Sequence, residues 1–469
     1  MKNFLPEDLP LGWRVLPLEL LVTRMSNGIS KRQTKDGNGL PVSRIETISQ
    51  GVIDLNRVGY LSNLTSVEVE KYRLGFGDLL FSHINSDFHL GKTAVFSQEE
   101  ETLLHGMNLL LIRVDQAQLL PSFLHWLFNF YRMAGLFMSI AQHAVNQSSI
   151  NQSKLNALPI VVPPIPEQHR IVAEIEKQFT RLDAGVAALR RVQANLKRYR
   201  AAVLKTACEG RLVPTEAELA KEGNRIMEFE SGGELLACIL ANRRNDWSER
   251  GKYSEPTCLD SSSLPQLPEG WAWATLDQIG QAGRPIIYGI IKPGPHVPDG
   301  VPYVRVTEMK DGRIDVPNLK RASQERAAKF ARATLAAGDV LISKDGTIGR
   351  VAVVPPELEG GNITQHVMRA PIHTGMSREF VVWAIRSDWC QHWLTGETRG
   401  VALRGVNVED FRRLPIPVPP FNEQLRIVAE VERRLSVIES LEAVVFANLQ
   451  RAARLRQSIL QKAFTGELL

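Results

Sequence analysis

A 17-residue segment occurs twice in this chain. Leu158-Pro-Ile-Val-Val-Pro-Pro-Ile-Pro-Glu-Gln-His-Arg-Ile-Val-Ala-Glu174 returns as Leu414-Pro-Ile-Pro-Val-Pro-Pro-Phe-Asn-Glu-Gln-Leu-Arg-Ile-Val-Ala-Glu430, with 13 of the 17 positions identical. The offset of 256 then runs on without a gap, pairing Leu204 with Leu460, Ala207 with Ala463 and Gly210 with Gly466. Repetition over such a length means that one structural unit has been duplicated. Weaker echoes carry it upstream. Leu9-Pro-Leu-Gly-Trp13 matches Leu267-Pro-Glu-Gly-Trp271, Arg44 matches Arg305, and Gly77-Asp-Leu-Leu-Phe-Ser82 matches Gly338-Asp-Val-Leu-Ile-Ser343. The upstream offset drifts between 257 and 261, as short loop insertions would cause.

Each half reads as a globular module followed by a helical one, which divides the chain into 1–157, 158–212, 213–263, 264–413 and 414–469. In the globular modules, short apolar runs entered through Gly-Asp turns predict strands, and the segments around 124–140 and 379–394 have helical spacing. The class is α+β. In the helical modules Pro163-Pro164 and Pro419-Pro420 hold the chain extended, so helix is expected from about Glu167 and Glu423, with Asn422 as an N-cap. Gly210 and Gly466 suit C-terminal caps. Some 43 residues of helix would make a rod of roughly 65 Å. Its apolar stripe runs Val172, Ile175, Phe179, Leu182, Val186 and Leu189, slips once, then resumes as Val192, Leu196, Tyr199 and Val203. The second runs Val428, Val431, Leu435, Ile438, Val445, Leu455 and Ile459, broken by Glu442 and Asn448. Such heptad stripes predict a coiled coil. Since the halves are repeats, two antiparallel rods about a pseudo-twofold axis are the natural arrangement, with an intermolecular coil as the alternative. A short helix is expected over 234–246, and the rest of 213–263 reads as linker.

The formal net charge of +5 leans towards anionic partners without demanding them. Cys208, Cys238, Cys258 and Cys390 form no close pair, so neither zinc nor a disulfide framework is indicated, and a reducing, cytoplasmic setting is expected. The apolar stretch 119–144 contains His125, Asn129 and Arg132, which argue for a buried amphipathic helix over a membrane span. Catalytic motifs fail on inspection. Val418-Pro-Pro-Phe421 lacks the polar first residue with which an amino-methyltransferase holds the base nitrogen. Gly91-Lys92-Thr93 has Ser86 where a phosphate loop needs glycine, and Gly75-Phe76-Gly77 lacks a third glycine. No catalytic or metal site is expected, and no cofactor.

Globular modules that diverge on helical modules that do not resemble the specificity (S) subunit of type I restriction–modification enzymes. The resemblance rests on the duplicated Leu-Pro-Ile-x-Val-Pro-Pro-x-x-Glu-Gln-x-Arg-Ile-Val, the paired Gly-Asp segments and the two Gly-Trp openings, and it spans essentially the whole chain. It implies two target-recognition domains, each reading one half of a bipartite double-stranded DNA site. It implies as partners two methyltransferase (M) subunits, which would use S-adenosylmethionine, and restriction/translocase (R) subunits. Half-sites read from one face of the duplex are expected about 10 bp apart. The alternative is a free-standing sequence-specific DNA-binding regulator.

Base readout needs polar side chains on loops, and phosphates need basic ones. The DNA-binding candidates are therefore Lys31, Arg32, Arg44, Ser82, His83, Asn85, Lys92, Gln147 and Ser148 in the first head. In the second they are Arg305, Lys344, Asp345, Thr347, Arg350 and Arg404. Arg44 and Arg305 serve equally well for local ion pairs, and polar loops before each Leu-Pro-Ile strand, such as Asn146–Ser149, are as readily structural.

Overall fold

Each duplicated segment begins as a strand and turns into a helix. In the computed structural model, Pro159–Val162 pairs antiparallel with Arg14–Pro17, setting Arg14 opposite Val162. Pro415–Val418 pairs with Ala272–Thr275 in the same register, Ala272 opposite Val418. The Gly-Trp openings therefore serve to turn the chain into this strand. Gly12 and Gly270 take left-handed φ values of 86° and 85°, which a side chain resists. The structure describes residues 9–98, 101–145, 147–222, 229–248, 252–258, 260, 262, 264–310, 312–396 and 405–469.

The long helices span Ile165–Cys208 and Phe421–Thr465. They start two residues before the expected points because Pro164 and Pro420 end the strand and cap the helix. The Pro164 carbonyl accepts from the N–H groups of Glu167 (2.9 Å) and Gln168 (3.0 Å), and that of Pro420 accepts from Gln424 (3.0 Å). Pro166 falls in the first turn, where its missing N–H costs nothing. Asn422 lies inside the second helix, so its expected capping role is overturned.

Each head is built on the same four-stranded antiparallel sheet. In the first, the order is Val22–Asn27, Leu109–Val114, Leu79–Ser82, Thr93–Val95. In the second it is Ile287–Tyr288, Val367–Ala370, Val340–Ser343, Val351–Val353. Helix Pro121–Met133 or Arg378–Arg386 covers one face, burying Phe123, Leu124, Leu127 and Phe128 in the first head and Phe380, Val381 and Ile385 in the second. The stretch 119–144 is broken at Gly135 (φ 83°) into Pro121–Met133 and Leu136–Ile140. Among the described residues no helix is long and apolar enough to cross a membrane.

Contacts divide the chain into two units, 1–191 with 445–469, and 192–444. Within each, parts of both long helices run antiparallel beneath one head. In the first unit Phe464 packs edge-on against Phe123 at 5.3 Å, the Arg456 guanidinium lies 4.7 Å over the Phe179 ring, and Arg456 pairs with Asp183. Gly466, at φ 82°, ends the second helix against Pro10. In the second unit Gly210 (φ 65°) ends the first helix against Pro268 and Trp271. Arg200 pairs with Glu442 at 3.1 Å. Val172, Ile175, Phe179, Leu196 and Val203 are buried as the stripe predicts, as are Val428, Val431, Leu435, Ile438, Val445 and Ile459. Val192, Tyr199 and Leu455 are exposed instead. Beyond the slip the buried edge follows Leu196, Val203 and Ala207, with Arg200 between them, so the two aromatic and aliphatic positions turn outward. In the other helix Ala452 and Ile459 flank Arg456 in the same way.

The short helix expected over 234–246 forms two residues earlier, and a further helix lies in the part read as linker. Helices Glu216–Glu222 and Gly232–Asn245 pack in the second unit, burying Thr215, Ala217, Leu235, Ile239 and Arg243. Reciprocal capping pairs start both: Thr215 with Glu218, and Ser231 with Glu234.

Candidate nucleic-acid interface

The Gly-Asp pairs that open the central strand of each sheet are structural. Asp78 is fully buried, and its carboxylate accepts from Arg113 Nε (2.7 Å) and Nη2 (2.8 Å) and from the Gly75 N–H (2.7 Å). Asp339 accepts from Arg284 Nη1 (2.8 Å) and Nη2 (2.7 Å) and from the Ala336 N–H (2.9 Å). Forked arginine–carboxylate pairs of this kind fix direction as well as charge. They set the strand, and the strand delivers Ser82 or Ser343 to the same edge of the head. There the chain turns back through Gly91 (φ 76°) or Gly349 (φ 79°), closed by the N–H of Ser82 on the Lys92 carbonyl and that of Ser343 on Arg350.

At this edge the first head carries a small sheet. Ile84–Asn85 pairs with Gln147–Ser149, which pairs with Gln142–Ala144. The pairing sets Asn85 opposite Ser148, so Ser82, His83, Asn85, Gln147 and Ser148 converge from segments some 60 residues apart. Asn85 Nδ2 donates to Ser82 Oγ at 3.0 Å. Ser148 Oγ donates to Asp87 Oδ1 at 2.5 Å and lies 2.8 Å from His143 Nδ1. Gln147 is exposed. Burial pushes His83 down to about 4, so it is neutral, and its Nδ1 is enclosed without a partner. Asp87 and His143 belong to this cluster, but only strand pairing reveals them.

The second head furnishes the same edge differently. Lys344 Nζ meets Asp345 Oδ2 at 3.0 Å, and the same oxygen lies 2.9 Å from His366 Nδ1, with Gln365 Nε2 on His366 Nε2 at 3.2 Å. Gly405 bridges to Asp345, and the N–H of Val406 donates to Lys344, as that of Ile150 does to His83. A cleft of about 490 Å³ opens here, lined by Lys292, Arg305, Asp345, Thr347 and His366. His366 and Gln365 were not singled out from the sequence.

Other candidates lie away from these clusters or are engaged locally. Lys31 pairs with Glu68 at 2.6 Å, and Arg32 is exposed beside it. Arg44 Nε meets Glu46 at 3.3 Å, and Arg305 Nη2 meets Glu308 at 2.5 Å, so both matched arginines close local ion pairs. Lys92 turns from the edge to donate to the Ser49 carbonyl at 2.8 Å, within a cleft of about 940 Å³ that it shares with Arg132 and Arg456. Its counterpart Arg350 donates to the Val306 and Met309 carbonyls, both at 3.3 Å. Asn146 and Arg404 lie outside the described residues. Among the described residues no group of His, Cys, Asp and Glu is placed to hold a metal.

The family model for the type I restriction modification DNA specificity domain matches this chain twice, at residues 15–187 and 268–442. A putative type I restriction enzyme MjaX specificity subunit from Methanocaldococcus jannaschii is 27% identical over 98% of this chain and 95% of its own length. The type I restriction enzyme EcoBI specificity subunit of Escherichia coli is 29% identical over 66% of this chain and 58% of its own. A solved structure concerned with complex assembly and conformational transition of the type I R-M system shares the fold, with a TM-score of 0.65 at 19% identity over 99% of this chain and 100% of that one.

Proposed function

We propose, because this chain belongs to the type I restriction–modification DNA specificity family, that it is the non-catalytic subunit through which such a complex recognises a bipartite duplex sequence. Each head takes one half of the site. The observation that carries this reading is the contrast at one strand edge. The same frame, set by Asp78–Arg113 and Asp339–Arg284, presents Asn85, Gln147 and the Ser148–His143–Asp87 group in one head and Lys344, Asp345, Gln365 and His366 in the other. Asn and Gln suit adenine, Lys suits guanine and Asp suits the cytosine amino group, so the two edges are furnished to read different bases.

The long helices serve as spacer and as docking site for two methyltransferase subunits. Val437, Leu441 and Val444 lie exposed at helical spacing in the second unit, a stripe fit for a partner helix. Restriction/translocase subunits join that complex, S-adenosylmethionine is bound by the methyltransferase subunits and not by this chain, and the assembly works in the cytoplasm. Titration of the isolated chain with S-adenosylmethionine should give no saturable heat, and binding would contradict this division of labour.

The test of the reading is substitution at the two edges in the assembled methyltransferase. Asn85→Ala and Gln147→Ala should relax base preference in one half-site by about tenfold or more and leave the other intact. Asp345→Ala and Gln365→Ala should do the reverse. Uniform weakening at both half-sites would make these residues phosphate contacts. A chain that binds its site equally well alone and elutes alone from co-expressed methyltransferase subunits would instead be a free-standing regulator.

A further inference from the structure

The two units differ at one place where the repeat leads one to expect a match. In the second unit, Glu423 and Arg426, one turn apart at the start of the second long helix, clamp the chain that leaves the first. The Glu423 carboxylate accepts from the Glu216 N–H at 3.0 Å and from Trp271 Nε1 at 2.9 Å. Arg426 Nη1 meets the Glu216 carboxylate at 2.5 Å and Nη2 donates to the Pro214 carbonyl at 3.2 Å. Helix Gly232–Asn245 then crosses the strand pair, its Gly232 N–H on the Gly270 carbonyl at 2.7 Å and Arg243 Nη1 on that of Asp277 at 2.8 Å.

The counterparts in the first unit are Trp13, Glu167 and Arg170, and among the described residues nothing covers them as 214–245 covers the others. Trp13 Nε1 is buried without a hydrogen-bond partner. Glu423 is 0% exposed, whereas Glu167 is part-exposed and Arg170 exposed. Around them Leu11 and Leu20 stand 101% and 61% exposed, and Val15 is also exposed. Their counterparts are Glu269, which pairs with Lys221 at 2.6 Å, Gln278 and Trp273, and the last two are part-buried. Among the described residues, a tryptophan N–H is thus left unpaired on the same face as Glu167, Arg170 and exposed leucines, where the other unit has a bound segment.

We propose that the Trp13–Glu167–Arg170 ledge is a docking site for a segment of a partner polypeptide, an acidic helix start followed by an amphipathic helix, as 214–245 is in the second unit. Glu167 takes the N–H at the helix start, Arg170 takes the acidic side chain and preceding carbonyl, and the exposed leucines take the apolar face. The assignment stands on the internal comparison and does not depend on DNA reading.

The probe is a fluorescent peptide of residues 211–246 of this chain, added to the full chain. The second unit's seat stays filled by its tethered segment, whose effective concentration is of millimolar order. Saturable one-to-one binding is expected below about 1 mM, weakened about tenfold or more by Arg170→Glu and regained when that variant meets a peptide carrying Glu216→Lys. Arg170 is exposed, so the variant keeps its fold, which circular dichroism verifies. No saturable binding, or binding indifferent to Arg170→Glu, overturns the proposal. Sedimentation of the chain alone should show a monomer. A dimer abolished by Arg170→Glu would make the occupant a second copy and overturn the partner assignment.

Discussion

Single residues explain why the duplicated motif carries a glutamine at its helix start. Gln168 is buried, with its Oε1 accepting the Leu120 N–H at 2.8 Å and its Nε2 donating to the carbonyls of Pro163 (2.8 Å) and Gln118 (2.9 Å). Gln424 repeats this on the Ser377 N–H (2.9 Å) and the Pro419 carbonyl (2.9 Å). One amide thus ties the strand, the helix start and a head loop together. Gln168→Ala strands three backbone groups, one buried and two part-buried, and should cost about 2–4 kcal/mol, read from the denaturant midpoint. Asp78→Ala leaves the Arg113 guanidinium without its partner and should cost a similar amount, about 2–4 kcal/mol. Three histidines of the first unit, His83, His105 and His125, are each pushed by burial down to about 4. Between about 6.5 and 4 the unfolded chain binds protons that the folded one refuses, so stability is full above that window and falls with pH through it. Denaturant titrations at pH 7 and pH 5 should show this loss, and His105→Gln should flatten it. An unchanged slope would mean that the ring is not desolvated in the folded chain.

At the scale of elements, the sequence was most legible where the chain's own periodicity decides. The rods follow from the 3,4 spacing and the strand before them from Leu-Pro-Ile, whereas the left-handed turn at the Gly-Trp openings emerges only in the structure. Gly210→Ala or Gly466→Ala sets a Cβ against Pro268 or Pro10 and strains the turn, so each should destabilise its own unit by about 1–3 kcal/mol in thermal unfolding. Equal stability would mean that the rod ends are not seated on the heads. Of the helices in 213–263, Gly232–Asn245 was read from the sequence, and Glu216–Glu222 was readable in principle: Thr215 to Glu218 is a capping box, but the polar composition around it outweighed the signal. What could not be read was the company each loop residue keeps. Ser148 meets Asp87 because strand pairing closes a separation of 61 residues, and Lys92 reaches the carbonyl of Ser49, 43 residues away. Local pattern contains neither fact.

For the whole molecule, the proposed function has two heads of one frame tuned separately, with the long helices setting the spacer between their half-sites. That separation is most directly tested by replacing residues 1–157 with the corresponding head of another specificity subunit and sequencing the methylome of a host that expresses the chimera with its methyltransferase partners. The account predicts a new sequence in one half-site, with the other half-site and the spacer length unchanged. A changed spacer, or new bases in both half-sites, would contradict it.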